Sequence, residues 1–450
     1  MPSAQPLRTR LWKKPGWSAL AIPILAIAGW AQEPARLAIP AEASPDDNVP
    51  SREVVAVEAP KAEELTLERA IELALQRQPN IAAAQASLHA AQIQFQSAHS
   101  PFAILTGPQI IYRRQQATHG LAIAQEGLTQ AKLETIQAVT RNYLSYLYAR
   151  EQTGIADETV RSLGVMAQLA KKLVDAGSRE VTTSDLERIS TYELIARTRL
   201  ARARLGAEQA RAALREAVGL SEHEPINVAA VSLADYYDSV TKHMREHKLT
   251  ISCDKAVELA LANRPEALQS HLLAEVVALE IKAQGLTWRT NALTFAARSD
   301  IHSKTLPATI LDPDYRPGPI APEMPAVLSG TRSARQSRTE ALYHRALAGA
   351  EKVEHLIALE VRVLCSRLHE LEEQVRLLRQ AVQQAGKLRK DAEKAYAADQ
   401  LSTEKMLTAQ LLDAQTRADL NEALYNYCIT LAALQRATAG KLWEALVPAQ

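Results

Sequence analysis

Apolar residues recur at helical spacing along most of this 450-residue chain, and the breaks in that pattern divide it into a few long elements. Leu67, Ala70, Ile71, Ala74 and Leu75 fall on one helix face, with Thr66 placed as N-cap. Pro79 interrupts this helix, and a second stretch runs from about Ile81 to Ser97. Pro101, Gly107-Pro108 and Gly120 predict a broken, irregular segment over residues 99–120. From Leu121 to about Asp175 there is no proline, and Ile136, Val139, Tyr143 and Leu147 hold a heptad-like period. That helix would be ~80 Å long. Ala176-Gly177-Ser178 should end it, and Ser184-Asp185 should restart a helix to about Val218, closed by Gly219. Residues 222–248 look polar and less regular.

The pattern then returns. Ala70-Ile71-Glu72-Leu73-Ala74-Leu75, with Pro79 beyond, matches Ala256-Val257-Glu258-Leu259-Ala260-Leu261, with Pro265 beyond. A helix to about Gln284 leads into a proline-rich interruption over 285–330. A very long helix follows from about Thr331 to Ala398, ~100 Å at the same rise. A break at Asp399-Gln400-Leu401, a capping-type Ser402 and a last helix to near Gly440 complete the second half. A repeat this long is a duplicated domain, not a solenoid unit. Helices of this length need partners along their whole length, and self-association into a bundle or tube is the natural way to bury them.

Composition agrees: 16 glycines and an abundance of Ala, Leu, Gln, Glu and Arg favour helices. The formal charge of +1 gives no field for nucleic acid. Arg8, Arg10, Lys13 and Lys14 precede an apolar run from Trp17 to Gly29, as in a signal peptide cleaved before Gln32. An uncleaved anchor is the alternative. The expected division is 1–31 signal peptide, 32–61 flexible linker, 62–220 first repeat, 221–248 connecting segment, 249–440 second repeat and 441–450 tail. Cys253, Cys365 and Cys428 are too few and too scattered for a disulfide framework and should be small apolar helix residues.

The chain resembles the TolC-type outer membrane efflux proteins over about residues 62–440. The resemblance rests on the two openings Leu65-Thr66 and Leu249-Thr250, each followed by Ala-x-Glu-Leu-Ala-Leu and a proline. It rests also on Gly177 through Val181, and on Asp185-Leu186 to Leu214 and Gly219. The final piece is Tyr396 to Gly440, with Leu401-Ser402, Ala409-Gln410, Asp413-Ala414, Leu420, Tyr425-Asn426-Tyr427 and Leu434. The resemblance implies a mainly α fold of long antiparallel coiled-coil helices, assembled as a homotrimer into an α-helical barrel. It also implies a membrane β-barrel to which each repeat gives two strands, contact with outer membrane lipid through that barrel, and a periplasmic adaptor and inner membrane pump as partners.

Two departures stand out. A spanning strand needs ~9–11 alternating residues. Residues 99–120 offer only Ile110-Ile111-Tyr112, and 285–330 carry Pro307, Pro313, Pro317, Pro319, Pro322 and Pro325, each of which would remove a ladder donor. Leu293, Phe295 and Ala297 alternate, but only briefly. The barrel is therefore expected to be reduced or absent. At the periplasmic tip, acidic residues of the family are replaced by Lys405 and Thr408, while Asp185 keeps its acid. Those three are the tip or gating candidates, with mixed charge.

No catalytic motif, cofactor loop or metal set stands out. His243 and His247 share a spacing of four but make only half a metal site. His355 and His369, and the charges Arg362, Arg367, Glu370, Glu372, Glu373 and Arg376, suit a solvated face. Tyr143, Tyr146 and Tyr148 suit packing or an interface. The function expected is a passive channel component of efflux or type I secretion in the outer membrane, not an enzyme. A periplasmic scaffold or adaptor that has lost its barrel is the alternative.

Overall fold

A computed structural model describes residues 64–177, 181–221, 224–298, 324–398 and 400–448. The proposed signal peptide and the linker over Glu33 to Lys61 lie outside them. Helix α1 (Leu67–Arg77) begins where Thr66 Oγ1 accepts from the Arg69 N–H at 3.2 Å. It stops before Pro79, because a proline ring disfavours helical backbone in the residue before it. Gln78 is accordingly extended (φ −67°, ψ 126°), and Pro79 starts α2 (Pro79–His99), where no N–H is needed. The same arrangement returns 186 residues later. Ser252 caps α6 (Cys253–Asn263), Arg264 is extended, and Pro265 starts α7 (Pro265–Gly285). The true partner of Thr66 is thus Ser252. Thr250 lies in a three-residue strand, β1 (Leu249–Ile251).

Each short pair leads into a 66-residue helix, α3 (Ile110–Asp175) and α8 (Arg332–Ala397), ~100 Å each. Helix α3 starts eleven residues before the expected Leu121, so Ile110-Ile111-Tyr112 is its first turn and not a strand. Gly120, taken from sequence as a breaker, is buried inside the helix, where the missing side chain suits close packing. Helix α4 (Thr183–Val218) and α9 (Thr403–Ala437) return antiparallel against α3 and α8. Gly219 ends α4 at φ +76°, with Arg77 Cβ 3.1 Å from where a Cβ would stand. That combination requires glycine.

The connecting segment over 221–248 is more ordered than its polarity suggested. It contains α5 (Leu233–Glu246), which packs on α9 with Tyr237 edge-on to Tyr427 at 4.8 Å. Leu233, Tyr236, Tyr237, Val240 and Met244 do recur at helical spacing, a signal that the reading of this stretch as polar and irregular passed over. The buried positions of α8, Val353, Ile357, Val361, Leu364, Leu368, Leu371 and Val375, form a stripe repeating every three or four residues. With residues of α5, α6 and α9 they make the largest core cluster. Helices α2, α7 and α9 flank α3, and α7 and α9 flank α8. The strand β1 pairs antiparallel with β4 (Leu446–Pro448), and β2 (Asn291–Leu293) with β3 (Val327–Ser329).

Candidate functional site at the two ends of the helices

One end is formed by the turns joining α3 to α4 and α8 to α9. Leu163, Met166 and Ala170 of α3 and Ile189 of α4 cluster with Ala392 of α8 and Met406 and Leu407 of α9, so both turns lie together. The cap before α4 sits two residues earlier than Ser184. Thr182 is the N-cap, and Thr182 Oγ1 accepts from the Asp185 N–H at 3.2 Å. Asp185 Oδ2 in turn accepts from the Thr182 N–H at 3.1 Å and its hydroxyl at 2.7 Å. The Thr182 hydroxyl and backbone N–H hold the Asp185 carboxyl below the usual carboxylate range.

Lys405 holds the equivalent third position of α9. A lysine has no acceptor to reach back with, and Ser402 makes no side-chain cap hydrogen bond, so the capping expected of Ser402 is absent. Lys405 is exposed. Thr408 is exposed too, and its hydroxyl donates to the Glu404 carbonyl at 2.8 Å. Arg188 of α4 lies 3.7 Å from Glu404 of α9 across the end. The three tip candidates therefore belong to one mixed-charge end. Asp185 is tied into its own helix cap, whereas Lys405 is free to face solvent.

Behind the tip lies a feature the sequence did not single out as a site. Asp413, buried, pairs with Arg389 of α8 at 3.1 Å and Arg417 at 3.7 Å, and Arg417 reaches Glu158 of α3 at 2.6 Å. Gln410 donates to Ser162. A groove of ≈ 580 Å³ opens beside this network between α3, α4 and α9, lined by Ile155, Tyr192, Ile195, Leu412 and Thr408 among others.

Further along the helices two charged groups are buried. Arg264, at the kink before α7, pairs with Glu266 at 3.1 Å and with Glu360 of α8, and Arg436 of α9 reaches Glu360 at 2.6 Å. Burial lowers the Arg264 pKa, but Glu360 and Glu266 outweigh it and raise it overall. At the far end Glu280, fully buried, accepts from Arg113 of α3, from Gln116 at 3.0 Å, from Gln284 at 2.7 Å and from the Phe295 N–H at 3.2 Å. Buried Arg335 continues the chain, donating to Gln284 at 2.9 Å, the Gly330 carbonyl at 2.8 Å and the Thr287 carbonyl at 2.6 Å. These bonds fix the β2–β3 pair to the ends of α3, α7 and α8.

This far end is where the resemblance places membrane strands. Residues 99–120 are the end of α2, a 3₁₀ turn over Pro101–Thr106 and the start of α3. The two strands that the resemblance implies for the first repeat are not formed there. In the second repeat β2 and β3 are three residues each, ~10 Å, and Phe295–Arg298 turns into a 3₁₀ segment instead of extending the alternation. Residues 299–323, with most of the prolines, lie outside the described residues. Among the described residues no helix is long and apolar enough to cross a membrane, which says nothing of a β-barrel.

Other candidates resolve simply. Cys365 and Cys428 are buried and Cys253 is half-buried, and all three are unpaired thiols on helices. Burial pushes the Cys428 thiol up to about 12. Tyr143 is buried, and Tyr148 stacks on Tyr425 at 4.7 Å. His355, His369 and the charges from Arg362 to Arg376 are exposed, with Arg376 paired to Glu373. Among the described residues no group of three His, Cys, Asp or Glu side chains gathers as a metal site.

No family model matches the sequence, and no curated protein matches it. Solved structures do match. The outer membrane protein VceC of Vibrio cholerae is 16% identical, with a TM-score of 0.60 over 83% of this chain and 96% of that one. The CmeC outer membrane channel of Campylobacter jejuni is 12% identical, with a TM-score of 0.61 over 88% and 94%. The open MtrE outer membrane channel of Neisseria gonorrhoeae is 13% identical, with a TM-score of 0.62 over 84% and 89%. The chain therefore has the mainly α fold of TolC-type outer membrane channels, as its resemblance implied.

Proposed function

We propose that this chain is the channel component of an efflux or type I secretion system, a conduit and not an enzyme, located at the outer membrane and in the periplasm. The observation that carries this reading is a fold shared with outer membrane channels whose longest helices keep apolar faces uncovered. Leu194, Ile195 and Leu205 of α4 and Leu347, Leu359, Leu377 and Leu388 of α8 are exposed. Exposed apolar residues along helices of ~50–100 Å call for lateral partners, and a homotrimer closed into a tube supplies them. The mixed-charge end holding Asp185, Lys405 and Thr408 would be the periplasmic entrance, where an adaptor and an inner membrane pump dock. Solute passes without covalent chemistry, so no cofactor is needed.

The absence of strands over 99–120 favours one further reading, a periplasmic scaffold derived from such channels. Three measurements separate them. The channel reading expects a trimer in mild detergent, recovered with outer membranes and conducting ions in a planar bilayer. A monomer recovered in the soluble periplasmic fraction without detergent overturns it. Leu205→Asp with Leu377→Asp should weaken the trimer without unfolding the monomer.

A further inference from the structure

The three cysteines stand far apart in the sequence, yet the fold brings two of them together. Cys253 is the first residue of α6, and Cys365 lies midway along α8. Helix α6 packs on α8. Cys365 sits inside the largest core cluster, and Cys253 packs against that cluster from α6. The two thiols share a hydrogen bond across the helix pair, and the charge of Asp254, next to Cys253, also acts on Cys365. For Cys428 of α9, burial alone moves the thiol, and neither other cysteine acts on it.

Both thiols stand on held backbone. The Ser252 N–H, one residue before Cys253, donates to the Ala445 carbonyl at 3.0 Å, and Ser252 caps α6. At the other end of α6, Arg264 pairs with Glu360, which precedes Cys365 on α8. The short helix is thus fastened to α8 along the stretch that carries both sulfurs. In the first repeat the position of Cys253 is taken by Leu67, 186 residues earlier, and no cysteine lies in that half. The pair therefore belongs to the second repeat and not to the duplicated plan. Access differs between the two thiols: Cys253 is half-buried, and Cys365 is 1% exposed. Burial, with Cys253 and Asp254 beside it, pushes the Cys365 thiol up. A reagent from solvent meets Cys253 first.

We propose that Cys253 and Cys365 are a redox pair that a disulfide oxidant closes into a disulfide, stapling α6 to α8. That such an oxidant is met outside the cytoplasm rests on the location proposed above; the pairing itself rests on the two thiols. The Cys253 sulfur, giving up its proton, attacks one sulfur of the oxidant's disulfide, and the other leaves as a thiolate. The Cys365 sulfur, giving up its proton in turn, attacks Cys253 Sγ in this mixed disulfide and expels the second oxidant thiolate. The two protons pass to the two departing thiolates, so the oxidant gains two electrons and ends as two thiols. Contact with Cys253 makes this second step intramolecular, which offsets the reluctance of Cys365 to ionise. The bond would close residues 253–365 into one loop and so restrict the unfolded chain.

The test counts thiols in the full chain. The purified, reduced chain is exposed to oxidised glutathione, then denatured, alkylated and digested. The expected result is one alkylated cysteine, Cys428, and one linked pair of peptides carrying Cys253 and Cys365. The oxidised chain should melt about 3–5 °C above the reduced one. Cys253→Ser should abolish the link, and Cys428→Ser should leave it in place. Should either variant melt early, the count on the unaltered chain, reduced against oxidised, decides alone. Three alkylated thiols after oxidation overturn the proposal. So does a link that includes Cys428 or joins two chains, or an oxidised chain that melts no higher than the reduced one. Blocking thiols in intact cells before lysis should reveal the same link. A chain that closes in the tube but leaves the cell fully reduced upholds the pair and overturns the periplasmic location.

Discussion

Glu280 offers the sharpest test of how the far end is held. Its carboxylate has no exposure and accepts from Arg113, Gln116, Gln284 and the Phe295 N–H. Burial pushes its pKa up, but the Arg113 hydrogen bond and charge, with Gln284 and Gln116, outweigh burial and lower it overall. Glu280→Ala would leave a largely buried guanidinium and two amides without their acceptor, at a cost of about 3–5 kcal/mol. Unfolding entropy of ~2.1 cal/mol/K per residue gives roughly 0.8 kcal/mol/K for the folded part, so melting should fall by about 4–6 °C. Circular dichroism melting of the purified chain and variant reads this directly. Because the folded pKa is depressed, the carboxylate contributes fully above its ordinary value and loses its contribution as pH falls through the folded one. The gap between the two proteins should therefore be constant near neutrality and close in acid. Arg113→Met combined with Glu280→Leu removes both charges and should melt within a few degrees of the original. A double variant as unstable as Glu280→Ala would refute the argument, since the cost would then come from the stranded amides or lost packing and not from a stranded charge. An alanine variant that melts like the original would refute it equally.

Other outcomes follow from single contacts. Thr182→Ala should cost about 1 kcal/mol by removing the cap of α4, seen as earlier melting. Its effect should fade in acid, where Asp185, held low by Thr182, finally protonates and loses its half of the box. Lys405→Asp should raise stability by about 0.5–1 kcal/mol, because it gives Ser402 the reciprocal acceptor that Asp185 gives Thr182. Gly219→Ala should destabilise by about 1–2 kcal/mol, since it strains a left-handed backbone and crowds Arg77. Cys428, raised by burial to about 12, should resist alkylation at neutral pH until the chain is unfolded by denaturant.

The helices themselves were legible because their signals are local. The α1 cap at Thr66, the stops at Pro79 and Pro265, the left-handed Gly177 just past α3, the C-cap at Gly219 and the start of α8 after Thr331 all follow from residues within a turn of each boundary. The 186-residue repeat needed only matching letters, and the structure places α1 and α2 on α6 and α7 at that offset. Local signals misled where tertiary context outweighed them. Gly120 reads as a breaker, yet α3 passes through it because neighbouring helices cover that point. Ile110-Ile111-Tyr112 has strand propensity, but those residues form the first turn of the helix whose Arg113 is anchored on Glu280.

The sequence by itself determined the long helices, their order, their duplication and the charge at Asp185 and Lys405, since each depends on spacing or on a nearby cap. Only the tertiary structure decided that Arg264, Glu266, Glu360 and Arg436 form one buried group, or that Glu280 and Arg335 fasten the β2–β3 pair. These partners are far apart along the chain, and a charged residue in a sequence carries no mark of whether its partner will be protein or water. The same holds for Phe102, Leu105 and Trp288. Their apolarity is plain in the sequence, but their exposure at one end of the bundle follows from how the helices beneath them pack.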